Sequence, residues 1–341
     1  MRKIWFKKYT LQFKFDAGTS RGVMRTRDSW FVFIQLEDGK TGIGECAPLP
    51  GLSCDSLEQM ETKLQHISET GAQIPENFPS IGFGIEMAEK DLQMGGKRIL
   101  FPSDFTNGST GIPINGLVWM GDLEFMQKQV KEKISAGFTC VKFKIGAIDF
   151  EKELDLIRQV RKEFSAKDIE IRVDANGAFK PEEALEKLKR LSDHNLHSIE
   201  QPIRQNQWEQ MAMLCEKTPL PIALDEELIG IQNIDQKAKL LSEIKPQYII
   251  LKPSLLGGFA ASEAWIKLAE NSNIGWWVTS ALESNIGLNA IAQWTYTLKN
   301  PMPQGLGTGQ LFTNNFDSPL YIDKGELYHN SLSNWDLSKL M

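Results

Sequence analysis

The chain has 341 residues, 41% of them hydrophobic, with a formal net charge of −6 and a pI near 5.5. That is enough apolar matter for a full core and about two domains, and an acidic balance without a long basic run argues against nucleic acid or an anionic membrane as partner. The four cysteines show no CxxC spacing and the four histidines no zinc-like pairing, so small-molecule chemistry without disulfides or structural zinc is expected.

Residues 1–10 mix lysines and aromatics without the apolar core of a signal peptide, and no stretch approaches 18 uninterrupted apolar residues, so a cytoplasmic location is expected. Tyr9, Leu11, Phe13 and Phe15 then alternate, residues 30–36 read as a strand, Asp38 and Gly39 as a turn, and a return strand runs to Glu45: an antiparallel sheet. Two helical segments follow, at 56–69 and 80–94, before Gly95 and Gly96 break the pattern. The boundary falls near Gly111, which makes 1–111 an α+β capping domain.

From Ile112 the rhythm changes. A strand at 114–118 is followed by apolar runs at 140–145, 169–173, 197–199, 220–224 and 248–251, each short and continuous enough to be buried on both faces. Lys144, Asp174, Glu200, Asp225 and Lys252 sit at their ends, spaced 30, 26, 25 and 27 residues apart, about one strand, one helix and two loops each time. Between them Pro181 can open a helix, with Ala184, Leu185, Leu188 and Leu191 on one face.

The fold class predicted is therefore α/β, a modified TIM barrel of (β/α)7β type over 112–308, with its seventh strand at 275–279 and its eighth near Gly305. The tail, 309–341, holds another short strand at 320–322 and is expected to pack on the capping domain. The Gly305-Leu306-Gly307-Thr308-Gly309 stretch lacks the GxGxxG spacing and following helix of a nucleotide loop.

Residues at the carboxyl ends of barrel strands meet at one mouth, so Asp174, Glu200 and Asp225 should converge there. Two unit charges about 4 Å apart repel by roughly 4 kcal/mol at an effective dielectric near 20, and a divalent cation removes that penalty for all three. One such acid alone would be read as a solvated loop group or a helix cap. Three on consecutive strands point to a metal site, and oxygen-only ligands favour Mg2+, with Mn2+ as the alternative.

Lys142 and Lys144 share one strand face, opposite Phe143. In a closed eight-stranded barrel Lys144 on strand two and Lys252 on strand six lie across from each other, flanking the acids. A lysine base works best with a pKa nearer 7 to 8, and Lys142 together with the metal is expected to depress that of Lys144. The substrate is then a small carboxylate that loses its α-proton to Lys144, with Lys252 placing positive charge beside the developing anion. By position, Asn176 can meet the substrate or Lys144, Ser280 can bind a substrate carboxylate, and Glu283 can orient a lysine. The oligomeric state has no signature.

The motifs Lys142-Phe143-Lys144, Asp174-Ala175-Asn176, Glu200-Gln201-Pro202, Asp225-Glu226 and Lys252-Pro253 together resemble the enolase superfamily, specifically its muconate-lactonizing branch. Gly44-Glu45, Pro48-Leu49-Pro50-Gly51 and Glu86-Met87-Ala88 look like that family's capping domain, so the resemblance spans the chain. It implies magnesium on Asp174, Glu200 and Asp225, and a capping loop around Arg21 and Gly22 that closes over the pocket.

Within the branch, Arg25-Thr26-Arg27 and Ser280-Ala281-Leu282-Glu283-Ser284 are similar to its dehydratases, which aromatise a hydroxylated cyclohexadiene carboxylate, and so imply a lyase. The rival is an N-acylamino acid racemase or dipeptide epimerase. Dipeptide epimerases carry Asp-x-Asp near strand eight, where this chain has Leu306-Gly307-Thr308. A non-catalytic binding protein would have no reason to keep every acid and lysine.

Overall fold

The computed structural model describes residues 2–19, 22–119 and 122–340. The chain opens with β1 (Lys3–Thr19), β2 (Gly22–Gln35) and β3 (Thr41–Cys46), an antiparallel sheet in which Trp30, Val32 and Ile34 face one buried layer and Phe31 and Phe33 the other. Helices α1 (Met60–Thr70) and α2 (Pro79–Gln93) cover it. Glycine makes the close approach of α2 possible: a Cβ on Gly44 would lie 1.8 Å from the Gly84 carbonyl oxygen, and one on Gly42 would lie 2.0 Å from that of Ala88.

The second half begins with β4 (Ile112–Pro113), β5 (Gly116–Val118) and α3 (Leu123–Ser135), which starts where Asp122 accepts from the Phe125 amide. Then strands and helices alternate: β6 (Cys140–Lys144), α4 (Phe150–Glu163), β7 (Glu170–Asp174), α5 (Pro181–Ser192), β8 (Ser198–Glu200), α6 (Trp208–Lys217), β9 (Ile222–Leu224), α7 (Ile234–Ile244), β10 (Tyr248–Leu251), the single turn α8 (Pro253–Leu256), α9 (Phe259–Asn271), β11 (Gly275–Val278) and α10 (Asn285–Thr297). Pro181 does occupy the first turn of α5, and Ala184, Leu188 and Leu191 are its buried face.

Seven strands form one parallel sheet in chain order from β5 to β11, with Lys144 paired to Asp174 and Asp174 to Glu200 in register. The eighth position, expected as a strand near Gly305, is reduced to parallel bridges. Gln304 pairs with Ile114 and Gly305 with Thr279, and these close the sheet between its two edges. Nearly every apolar strand residue is fully buried, as expected where helices pack outside and side chains fill the inside.

The tail divides. Residues 311–314 run beside β1, with the Lys14 amide donating to the Leu311 carbonyl at 2.9 Å and the Thr313 amide to that of Gln12 at 2.8 Å. Beyond them β12 (Leu320–Asp323) and β13 (Glu326–His329) form a hairpin on β4, so the strand expected at 320–322 meets Ile112 and Pro113 through β13.

The sheet and the barrel are joined through carboxylates. Glu45, fully buried, accepts from the Ser284 and Gly287 amides at the start of α10, and Glu86 accepts from those of Phe259 and Ala260 at the start of α9. Each satisfies orphan amides of a helix N-terminus and places negative charge at its positive end. Among the described residues no helix is long and apolar enough to cross a membrane.

Candidate active site

The carboxyl ends of the barrel strands and the first sheet enclose a cavity of about 270 Å³. Lys142, Lys144, Asn176, Lys252 and Ser280 line it from the barrel, and Val23, Met24, Leu49, Pro50 and Leu52 from the sheet side. Strand polarity places the polar groups: Lys142, Lys144 and Asp174 project inward, while Phe143 and Val173 pack in the apolar core. Lys144 and Lys252 end strands four places apart, with the three acid-bearing strands between them.

The acids and lysines form one buried network. Lys144 Nζ lies 2.5 Å from Asp174 Oδ2 and donates to Asn176 Oδ1 at 2.7 Å. Lys142 Nζ lies 2.8 Å from the same Asp174 oxygen and also donates to Glu200 Oε2, and Lys252 Nζ donates to Asp225 Oδ2. Three acids and three lysines thus alternate, which is how so many ionisable groups share one buried site.

Each partner moves the titration of the next. Burial disfavours the charge on Lys142, but Asp174 and Glu200 outweigh it and hold the ammonium far above the ordinary lysine value. The same contest, won by Asp225 and Glu200, raises Lys252. Asp174 is held well below the usual carboxylate range, burial being overcome by Lys142, Lys144 and Lys252; Asp225 is lowered likewise, chiefly by Lys252. Glu200 goes the other way: burial and the Asp174 charge push it well up despite Lys142.

Among the described residues no group of three or more acid, His or Cys side chains is drawn close enough to grip an ion as it stands, because the three carboxylates meet through ammonium groups. The donor chemistry nevertheless suits a hard divalent cation. Asp174, Glu200 and Asp225 offer only oxygen, and Glu200 Oε1 is buried without a hydrogen-bond partner.

The other expected residues separate into two groups. Asn176 bridges, accepting from Lys144 and donating its amide to Glu226 Oε1 at 3.0 Å, and Ser280 lines the cavity with its hydroxyl against that of Thr308. Glu283 corrects the expectation. Among the described residues it meets no lysine, and it does not line the cavity; it accepts from Ser254 Oγ and, at 2.7 Å, from the Ala281 amide, so it holds the turn after β11. Of the expected closing loop, Arg21 lies outside the described residues, while Gly22 lines the cavity at φ +128°.

Glu226, Ser254 and Arg27 were missed. Glu226 had a signal in its place beside Asp225 and Arg27 one in the Arg25-Thr26-Arg27 motif, but neither was given a role; Ser254 acts through a contact that no local pattern records. Asn176, Gln201 and Leu282 take positive φ at the mouth, strain of the kind that accumulates at functional sites.

Comparison with known proteins identifies the family. A family described as enolase C-terminal domain-like matches residues 125–331, and one described as the MenC N-terminal domain matches 1–92. An o-succinylbenzoate synthase of Desulfotalea psychrophila is 49% identical, over 94% of this chain and 97% of that protein. The crystal structure of MenC from the same organism superposes with a TM-score of 0.88 at 45% identity, covering 96% of this chain and 99% of that one. The L-Ala-D/L-Glu epimerase of Bacillus subtilis shares the fold, with a TM-score of 0.84 at 18% identity, covering 98% of this chain and 99% of that one.

Proposed function

This chain belongs to the enolase superfamily and, within it, to the o-succinylbenzoate synthase group, and from that premise we propose how its residues divide the work. The reaction is that of a lyase: dehydration of 2-succinyl-6-hydroxy-2,4-cyclohexadiene-1-carboxylate to 2-succinylbenzoate, a step of menaquinone biosynthesis. The family depends on a divalent metal. For this chain we assign the ion as Mg2+, with Asp174, Glu200 and Asp225 as the groups that would hold it. When bound, it supplies positive charge beside the substrate carboxylate as the α-proton leaves.

Lys144 takes the proton α to the carboxylate. Its Nζ is held between Asp174 and Asn176, and Asn176 is itself anchored on Glu226, so the amine is aimed before substrate arrives. The same nitrogen, now protonated, passes the proton to the departing hydroxyl, which leaves as water; aromatisation drives that step. Lys252, across the barrel, keeps its proton and adds positive charge beside the developing anion, a role its raised pKa suits. Leu49, Pro50 and Leu52 exclude water from the cavity, and Ser280 faces the succinyl arm.

Residues 1–111 serve as the cap over a catalytic barrel at 112–308, and 309–341 as a tail that braces both. An enzyme of this group works on a soluble small molecule, and we place it in the cytoplasm. The observation that carries the assignment is the pair Lys144 and Lys252 flanking three consecutive acid-ended strands at one cavity. The test is the ultraviolet change on aromatisation, followed with magnesium, with a chelator and with Lys144→Ala. Full activity under either perturbation overturns the assignment.

A further inference from the structure

Arg27 lies on β2, outside the catalytic network, yet it is only 2% exposed. A buried guanidinium is retained only where its charge and donors are met. Here its two terminal nitrogens reach across the seam between sheet and barrel, one donating to the Ala47 carbonyl and the other to that of Ala281, while the buried Nε has no hydrogen-bond partner among the described residues. Glu45 and Glu283 supply the countercharge.

The two carbonyls belong to opposite walls of the cavity. Ala47 leads into Leu49 and Pro50, which line it from the sheet side; Ala281, with Ser280 and Leu282, lines it from the barrel. Leu49, Ala281 and Leu255 meet in one small apolar cluster that Leu52 and Leu282 extend, so the walls touch where Arg27 holds them. The 281–282 turn is strained, with Leu282 at φ +65°, and is pinned from its other side by Glu283 accepting from the Ala281 amide. A planar fork with two donors of fixed spacing sets the distance between two carbonyls as a flexible lysine cannot.

We propose that Arg27 is a positioning residue that fixes the gap between the two walls of the cavity and thereby governs how tightly substrate is held, leaving the rate of bond breaking to Lys144. It touches no reacting atom, and its effect on substrate rests on the functional reading above.

The test uses the full chain with magnesium and two variants, Arg27→Met and Arg27→Lys. Arg27→Met is expected to raise KM for the cyclohexadiene at least about tenfold while kcat stays within about threefold, and Arg27→Lys to fall between it and the parent. Hydrogen exchange should quicken in residues 47–53 and 280–287 and stay unchanged in 170–174. KM within twofold of the parent, kcat falling in step with the folded fraction at constant KM, or unchanged exchange in both wall segments would each overturn the proposal. If the parent fails to aromatise the substrate, the functional reading fails, and the exchange data alone decide whether Arg27 sets the walls. If Arg27→Met does not fold, Arg27→Lys, read in the same way, decides.

Discussion

Lys144 Nζ sits 2.5 Å from Asp174 Oδ2, so the amine proposed as the base is hydrogen-bonded to one of the carboxylates proposed to hold the metal. One carboxylate would then serve both the base and the ion. Replacing Asp174 therefore disturbs both the placement of the Lys144 amine and the set of acids proposed to hold the ion.

Lys144→Ala should lower kcat about a thousandfold or more, within the range lost when a general base is removed, while affinity for 2-succinylbenzoate stays within tenfold. Lys252→Ala should cost about a hundredfold and leave the product unchanged. Steady-state kinetics with product analysis by NMR check both; an altered product from Lys252→Ala would show that Lys252 moves a proton.

Removing divalent metal should abolish turnover, and magnesium should restore it. Glu200→Gln should weaken magnesium binding, read by calorimetry as a raised dissociation constant, because it removes one of three anions from the site. Thermal unfolding gives an independent reading, since an ion that binds only the folded chain raises Tm with its concentration. A Tm indifferent to magnesium would count against the ligand set.

Burial lifts Asp55 from 3.8 to about 6, although the Ser80 amide and hydroxyl donate to it at 3.1 and 2.6 Å. With the folded pKa above the unfolded one, its contribution to stability is full below pH 4 and is lost as pH rises through about 6. The loss is on the order of 3 kcal/mol. Asp55→Asn should therefore stabilise the protein at pH 7 and leave it unchanged at pH 4, as urea unfolding at the two pH values would reveal.

Gly44→Ala should cost about 3 kcal/mol or more, because the new Cβ would meet Gly84 backbone that has no flexible end to move aside. Urea unfolding measures it. Gly51→Ala, where a Cβ meets nothing within 4 Å, should cost less and only through its φ of +72°.

Much of this was legible in the sequence. Strands buried on both faces are apolar throughout, so β6 to β11 announced themselves, and the polar residue closing each run marked the mouth. What escaped shows where local pattern stops. Strand β13, Glu-Leu-Tyr-His, is short and half polar, and its pairing with Ile112 spans over 200 residues. The eighth strand is reduced to two bridges, one to each edge of the sheet, at Gln304 and Gly305. Glu283 was expected beside a lysine from its position in the chain, and only its contacts with Ser254 and Ala281 reveal a role in backbone support. Arg27 and Ala281 are 254 positions apart.

Because Glu45 and Glu86 finish the first turns of α10 and α9, the barrel is not a module that can be lifted out and fitted with another lid. A chimaera joined near Gly111 would bare amides on two catalytic-side helices unless the incoming sheet brought acids at both places. Changes of specificity in this scaffold therefore have to arise as paired drift on both sides of one seam.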